Sequence, residues 1–249
     1  MAPSPSNEGL YKVLYQELAS NLGCSLSIQR YPKKRTHLLL KEGEVDLYPS
    51  TGFDLKRSEY LYYIPNGLYR YEFYFGLTPN YVKSLTAIPE INSHGLTWIF
   101  ESGSTTINMA ETLSISNQPI SELTDERAIT MLTKGRKVFY RIIKGDYVKY
   151  LKKHDITDLT GLNILTHKSC CKPKSHKLYT GISRKSANYI EEINPHFKKK
   201  KAISAENFPF SLSKDSLAYS VANEIKNLRK AGRIDELYQQ FIVVPGHTQ

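Results

Sequence analysis

The stretch Gly43-Glu44-Val45-Asp46-Leu47-Tyr48-Pro49-Ser50-Thr51-Gly52-Phe53-Asp54-Leu55-Lys56-Arg57 decides the reading of the fold. Gly43-Glu44 makes a turn, and Val45 to Tyr48 is a buried strand. Ser50-Thr51-Gly52 is a polar loop at that strand's carboxyl end. Upstream, Gly9 to Leu22 has the period of an amphipathic helix. Leu10, Val13, Leu14, Leu18 and Leu22 recur on one face, Ser6 or Asn7 can cap its start, and Gly23 can end it. Ser25 to Arg30 alternates Leu26 and Ile28 with polar residues, which predicts a strand. Tyr31-Pro32 breaks it, and Arg35 to Lys41 predicts a short helix. Helix alternating with strand in this way predicts parallel βαβ units.

Downstream, the chain from Tyr60 to Leu77 is rich in tyrosine and phenylalanine, with strand propensity at Tyr71 to Leu77. Thr78-Pro79-Asn80 breaks the pattern and offers an exit from a first lobe. A second α/β series follows: Gly95 to Phe100 a strand, Gly103-Ser104-Thr105 a turn, and Thr106 to Leu113 a helix. Asp125 can cap a helix through Leu132, with Gly135 as its stop. Val138 to Ile143 is a strand, and Tyr147 to Lys153 another helix. Near the end, Ile182 to Ser186 leads into a predicted helix over Ala187 to Ile193, and Leu212 to Ser216 into a long one over Leu217 to Lys230. Gly232 then precedes a short helix bearing Ile234, Leu237, Tyr238 and Phe241. The expected division is a first lobe of 1–79 and 183–249, its return point lying near 183 or near 210, with a second lobe of 80–182.

A chain of 249 residues suffices for two lobes with cores of their own. No window carries the roughly 18 consecutive apolar residues of a membrane span. The formal charge of +10 raises nucleic acid or anionic membranes as partners. The basic residues are nevertheless spread along the chain, Lys198 to Lys201 being the one dense run, and no nucleic-acid-binding spacing accompanies it. No nucleic acid partner is expected. Cys170 and Cys171 are adjacent, a spacing that rarely bridges, and Cys24 can pair only if the fold brings it near one of them. No metal-ligand spacing occurs, so neither metal nor cofactor is expected. GxSxG, HExxH and GxxxxGK[ST] are all absent, and no catalytic residue is assigned.

The order of these features resembles the type II periplasmic solute-binding proteins, family 3, the branch that binds amino acids. The resemblance rests on the first helix, on Tyr31-Pro32-Lys33-Lys34-Arg35, on Gly43 to Leu47, on Ser50 to Arg57 and on Tyr63-Ile64-Pro65. It continues through Glu101 to Thr105, Leu132 to Arg136, Gly145-Asp146 and the closing Ala231 to Tyr238. It implies an α/β, two-lobed fold, each lobe a mostly parallel sheet flanked by helices, with a ligand cleft between the lobes. Two departures stand out. The family begins with a central strand for which Met1 to Asn7 leaves little room, and it often carries an aspartate after the Gly-Arg pair, where this chain has Lys137-Val138-Phe139.

A cleft for a carboxylated solute needs a fixed cation, hydroxyl and backbone donors, and an apolar wall. Arg57 supplies a planar fork that matches a carboxylate, and the resemblance implies that it grips the ligand; the other role open to it is pairing with Glu59 or Asp54. Ser50, Thr51 and Gly52 lie where α/β folds place ligands, or form a polar turn. Phe53 can stack on the solute or plug the core, and Tyr11 is a further candidate. Gly103, Ser104 and Thr105 lead into a helix N-terminus that favours an anion, or cap it. Asp146 can accept from a ligand amine or serve as an N-cap, and an inward Arg141 would suit a second anionic group. Arg35 can face the cleft or merely cap the lobe surface, and Tyr74 can point into the cleft.

The expectation is a monomeric binder, not an enzyme, that closes on a small polar solute with an acidic group and serves ABC-type uptake through a membrane permease. The alternatives are a ligand-sensing receptor domain, with a sensor kinase as partner, or a basic polyanion-binding module. The resemblance implies a periplasmic or otherwise extracytoplasmic location, Met1 to Asn7 being too short and polar for a signal peptide and the signal having been removed.

Overall fold

The computed structural model describes residues 8–241. Met1 to Asn7, and with them the cap at Ser6 or Asn7 and the question of a first strand, lie outside the described residues. Two compact units divide the chain. Among the described residues, the first takes 8–31, 36–70 and 176–241; the second takes 32–35 and 71–175.

In the first unit, α1 (Leu10–Asn21) and α6 (Leu217–Lys230) are amphipathic, and α7 (Arg233–Phe241) packs against both. Leu10, Leu14 and Leu18 of α1 meet Val221, Ile225 and Leu228 of α6 and Ile234 and Leu237 of α7 in one core. Leu14 and Ile225 are wholly buried, and each such side chain contributes about 1.5–3 kcal/mol. The ends follow local chemistry. Ser216 accepts from the Tyr219 N–H at 3.1 Å, and Gly23 and Gly232 stop their helices at φ of 66° and 78°.

These helices cover one face of a three-stranded sheet ordered β1 (Leu47–Thr51), β8 (Lys174–Ser183), β2 (Leu61–Glu72). Ile64, Leu68, Leu178 and Ile182 point into the helical core, while Leu61, Tyr63 and Tyr179 form a second cluster with Leu40. Leu40 belongs to α2 (Lys33–Glu42). A small antiparallel ribbon, β9 (Glu191–Ile193) with β10 (Phe210–Leu212), completes this unit.

The second unit is a five-stranded sheet covered on both faces. Its order is β5 (Asn117–Ile120), β4 (Thr97–Glu101), β6 (Val138–Ile143), β3 (Tyr74–Pro79), β7 (Ile164–His167). Alternation along the strands sorts the side chains. Ile99, Val138, Ile142 and Leu77 pack with Ile129 and Leu132 of α4 (Asp125–Thr133) and Tyr147 of α5 (Lys144–Lys153). Trp98, Phe100 and Phe139 face the other way, onto Val82, Ile91 and Ala110, the last in α3 (Thr106–Thr112).

Several local expectations fail for tertiary reasons. Ser25 to Arg30 forms no strand: Leu26 and Ile28 are exposed and no neighbouring strand pairs with them among the described residues. Ala187 to Ile193 is a turn followed by β9, because Glu191 is drawn to Arg184 and the backbone pairs with β10. Parallel pairing is limited, among the described pairs, to β5–β4–β6; β1 with β8, and β3 with β6 and β7, are antiparallel, so the sheets are mixed. Asp125 is the first helical residue, and the cap is Thr124, whose Oγ1 accepts from the Arg127 N–H at 3.2 Å.

Cys170 and Cys171 are bonded to one another, and Cys24 is free and exposed. Residues 168–171 form a bend rather than a strand, so consecutive side chains are not sent to opposite faces, and both sulfurs are buried beside Phe139. A Cβ at Gly76 would lie 2.6 Å from both the Cys170 Sγ and the Phe139 ring. Gly76→Ala is therefore expected to destabilise the protein by about 1–3 kcal/mol, as overpacked cores do; urea unfolding measures it.

His167, also buried, meets Thr78 Oγ1 through Nε2 at 2.7 Å, and burial holds its pKa below the ordinary 6.5. The unfolded chain then takes up a proton that the folded chain resists, so stability is fully present above about pH 6.5 and falls as pH drops below it. His167→Asn is expected to flatten that slope between pH about 7 and 5, read from Tm against pH.

Candidate functional site

In the first unit, Tyr15 hangs from α1 into the sheet and is wholly enclosed. Its hydroxyl donates to the Pro49 carbonyl at 2.5 Å and shares a 2.6 Å hydrogen bond with Thr180 Oγ1 of β8. Burial raises its pKa well above the ordinary phenol value, so it is a neutral donor. One helical turn earlier, Tyr11 donates to Ser50 Oγ at 2.8 Å. Neighbours at i and i+4 on α1 thus hold consecutive residues of β1.

Beyond β1 the chain carries Gly52 and Phe53 into a short 3₁₀ turn, Arg57–Glu59. Phe53 lies 5.0 Å from Tyr63, ring centre to ring centre, and packs on the Leu40–Tyr179 cluster. Tyr63 donates to the Asp54 carbonyl and accepts from the Asp54 N–H, both at 3.3 Å. The Asp54 carboxylate accepts from the Arg57 backbone N–H at 3.0 Å and fixes the start of the turn. Arg57 is half-buried. Burial raises the pKa of Tyr60 and Tyr63, and the nearby Arg57 charge opposes that rise. Ser50, Thr51, Gly52, Phe53 and Arg57 are therefore brought together in one continuous segment, and Tyr11 is tied to it. Of these, the Thr51 hydroxyl is turned inward, donating to the Gly52 carbonyl at 3.0 Å.

The second unit places its candidates on several separate elements. Gly103 has φ 84°, and a Cβ there would come 3.0 Å from the Lys34 backbone nitrogen; only glycine suits both conditions. Lys34 and Lys33 belong to this unit's Pro32–Arg35 segment, and the Lys33 ammonium pairs with Glu101 at 3.5 Å. Ser104 Oγ accepts from the Thr106 N–H at 3.2 Å, whereas Thr105, at the cap position of α3, makes no side-chain cap. Asp146 is not an N-cap. It lies in the first turn of α5 and pairs with Lys149 at 3.2 Å. Arg141 is engaged with rings: its guanidinium lies 4.1 Å from the centre of Tyr74 and 5.4 Å from that of Trp98. Its register opposite Gly76 puts it on the Trp98–Phe139 face. Arg35 is exposed.

Sequence reasoning missed Tyr15 and Thr180, which set the position of β1. Their signal is weak, a tyrosine on the apolar face of α1 and a threonine in a polar strand. Among the described residues no group of three or more His, Cys, Asp or Glu could hold a metal, and no helix is long and apolar enough to cross a membrane.

No protein-family model and no curated protein matches the chain. Solved structures do. The chain is similar to the substrate binding protein of an amino acid ABC transporter, at 14% identity and TM-score 0.62 over 98% of this chain and 92% of that one. It is similar to an ancestral arginine-binding protein bound to arginine, at 11% identity and TM-score 0.62 over 94% and 88%. It is also similar to the GluR0 ligand-binding core from Nostoc punctiforme in complex with L-glutamate, at 13% identity and TM-score 0.59 over 94% and 91%. The fold is that of the type II periplasmic solute-binding proteins.

Tyr15→Phe is expected to leave the Pro49 carbonyl and Thr180 without their buried partner and to cost about 1–3 kcal/mol. Chemical denaturation of the variant reads this, together with faster hydrogen exchange in β1.

Proposed function

We propose that the chain is a binder of a small amino-acid-like solute, and that its Arg57 takes the solute's carboxylate. The observation that supports this most is the Ser50–Arg57 segment. A half-buried guanidinium, a hydroxyl at Ser50 held by Tyr11, and the Phe53 ring follow one another at the carboxyl end of β1, where α/β folds take ligands. A guanidinium fork in a partly desolvated setting binds a carboxylate with two parallel hydrogen bonds. The solved structures of this fold carry arginine or glutamate, each with an α-carboxylate.

In the second unit, the Gly103-Ser104-Thr105 turn offers amide and hydroxyl donors of a kind suited to an acidic group. The protein then works outside the cytoplasm and hands its solute to a membrane permease, without catalysis. The likeness to the GluR0 ligand-binding core supports a second reading, in which the same capture serves a receptor.

The test is a thermal-shift panel of amino acids and small carboxylates. A true ligand at a hundred times its Kd adds about 2.7 kcal/mol and raises Tm. Arg57→Ala is expected to abolish that rise while the free variant still unfolds cooperatively, since this side chain is not part of the apolar clusters of its unit. Failure of every compound in the panel, or a full rise with the alanine variant, counts against the assignment.

A further inference from the structure

The one dense basic run in the sequence is built into an ordered loop. Asn194 to Pro209 leaves β9 and returns to β10, closed at its base where the Asn194 N–H donates to the Pro209 carbonyl at 2.9 Å and Asn194 Nδ2 to the Phe208 carbonyl at 2.8 Å. Asn207 gathers its middle. The Asn207 side chain accepts from the Lys198 N–H at 3.0 Å and donates to the carbonyls of Lys198, Lys201 and Ala202 at 3.0–3.2 Å. The loop's single acid, Glu206, is turned back to the sheet, accepting from Tyr179 at 2.9 Å and pairing with Lys177 at 3.4 Å.

Lys198, Lys199, Lys200 and Lys201 are all exposed, and among the described residues no carboxylate pairs with any of them. A flexible lysine run loses backbone freedom when it meets a surface; this one is already tied down, which lowers that cost. Two apolar side chains accompany it. Ile193 at the loop's base is 81% exposed, the most exposed of the large apolar residues described, and Ile203 within the loop is 39% exposed.

We propose that this loop docks the protein on an anionic lipid bilayer. Clustered lysines are attracted to acidic headgroups within about a Debye length of the surface, and exposed aliphatic side chains beside them can enter the headgroup boundary. The exposed Ile193 and Ile203 add an apolar contribution that a headgroup boundary takes up and a phosphate backbone does not. The loop also carries the rings of His196 and Phe197, and a DNA oligonucleotide is therefore one arm of the test.

The experiment is co-sedimentation of the full chain with vesicles of phosphatidylcholine alone, or of phosphatidylcholine and phosphatidylglycerol in equal parts. At about 0.05 M salt the protein is expected on the anionic vesicles only, and raising salt to about 0.5 M should release it. Each lysine raises partition about fivefold, so changing all four from Lys198 to Lys201 to glutamine should lower it by two orders of magnitude or more. Ile193→Ser should lower it several-fold. Both variants should keep the parent's Tm, since the changed side chains are exposed. No binding to anionic vesicles at low salt, or parental binding by either variant, overturns the proposal. So does tighter binding to a DNA oligonucleotide than to the vesicles, which would make the loop a nucleic-acid contact. Neither Arg57 nor the solute enters this test, so its failure leaves the solute-binding proposal standing.

Discussion

The first unit depends on one buried hydroxyl. Tyr15 joins a helix to two strands that lie 34 and 165 residues away along the chain. Inside the core no water competes for these groups, so each bond left unmade carries its full desolvation cost. Pro49 has no N–H to offer its sheet, and its carbonyl is satisfied by Tyr15. The next residue, Ser50, is reached by Tyr11 from the same helix. The packing of α1 on α6 and α7 therefore fixes where β1 ends, and with it the Gly52–Arg57 segment that follows. Packing comes first and the site inherits its position from it.

The second unit achieves the same through volume. Gly76 is the flat spot on which Phe139 and Cys170 rest, and β6 and β4, on one side of it, carry the aromatic face of the sheet. Arg141 stands in register with Gly76 and so shares this face, but near its edge, where the rings of Tyr74 and Trp98 replace part of its lost hydration. Burial works against its charge, and the proximity of Glu72 works in its favour. Ring contact and the field of Glu72 both favour the charge in that setting.

What the sequence reveals follows from how far each interaction reaches. Helices α1, α6 and α7 are legible because their apolar stripe, their stop glycines and the Ser216 cap are all local signals. Ser25 to Arg30 has the alternation of a strand and no partner, and pairing is not encoded in one segment. The largest loss is β8, central in its sheet, whose Thr180 and Ser183 are polar yet wholly buried. They are tolerated because Thr180 meets Tyr15 and Ser183 donates to the Leu40 carbonyl at 2.6 Å, partners that no window of the sequence contains. The Ser50–Arg57 part of the candidate site is legible for the opposite reason, being contiguous. Asp146 and Ser104 show the remaining ambiguity, since a residue type suited to capping, pairing or ligand contact does not declare which it does.

The same logic applies to charge. Many cations here have a carboxylate at hand: Arg184 forks onto Glu191 at 2.6 and 2.9 Å while lying 5.0 Å from the centre of the Phe210 ring, Arg233 reaches Glu17 at 3.0 Å, and Lys153 reaches Glu126 at 2.7 Å. Such pairs cancel beyond about a Debye length and add little to the outer field. The excess of +10 is therefore felt where cations lack acids, and the Lys198–Lys201 loop is the densest such place in the sequence. Arg184 also ties that region to the rest of its unit, donating to the Ser58 carbonyl at 3.0 Å, so the ribbon that bears the loop is braced by an ion pair that contributes almost none of the field. A net charge read from composition is spread over the whole chain; the folded structure uses some of its cations in pairs that hold elements together and turns others outward, with the Lys198–Lys201 loop the densest group.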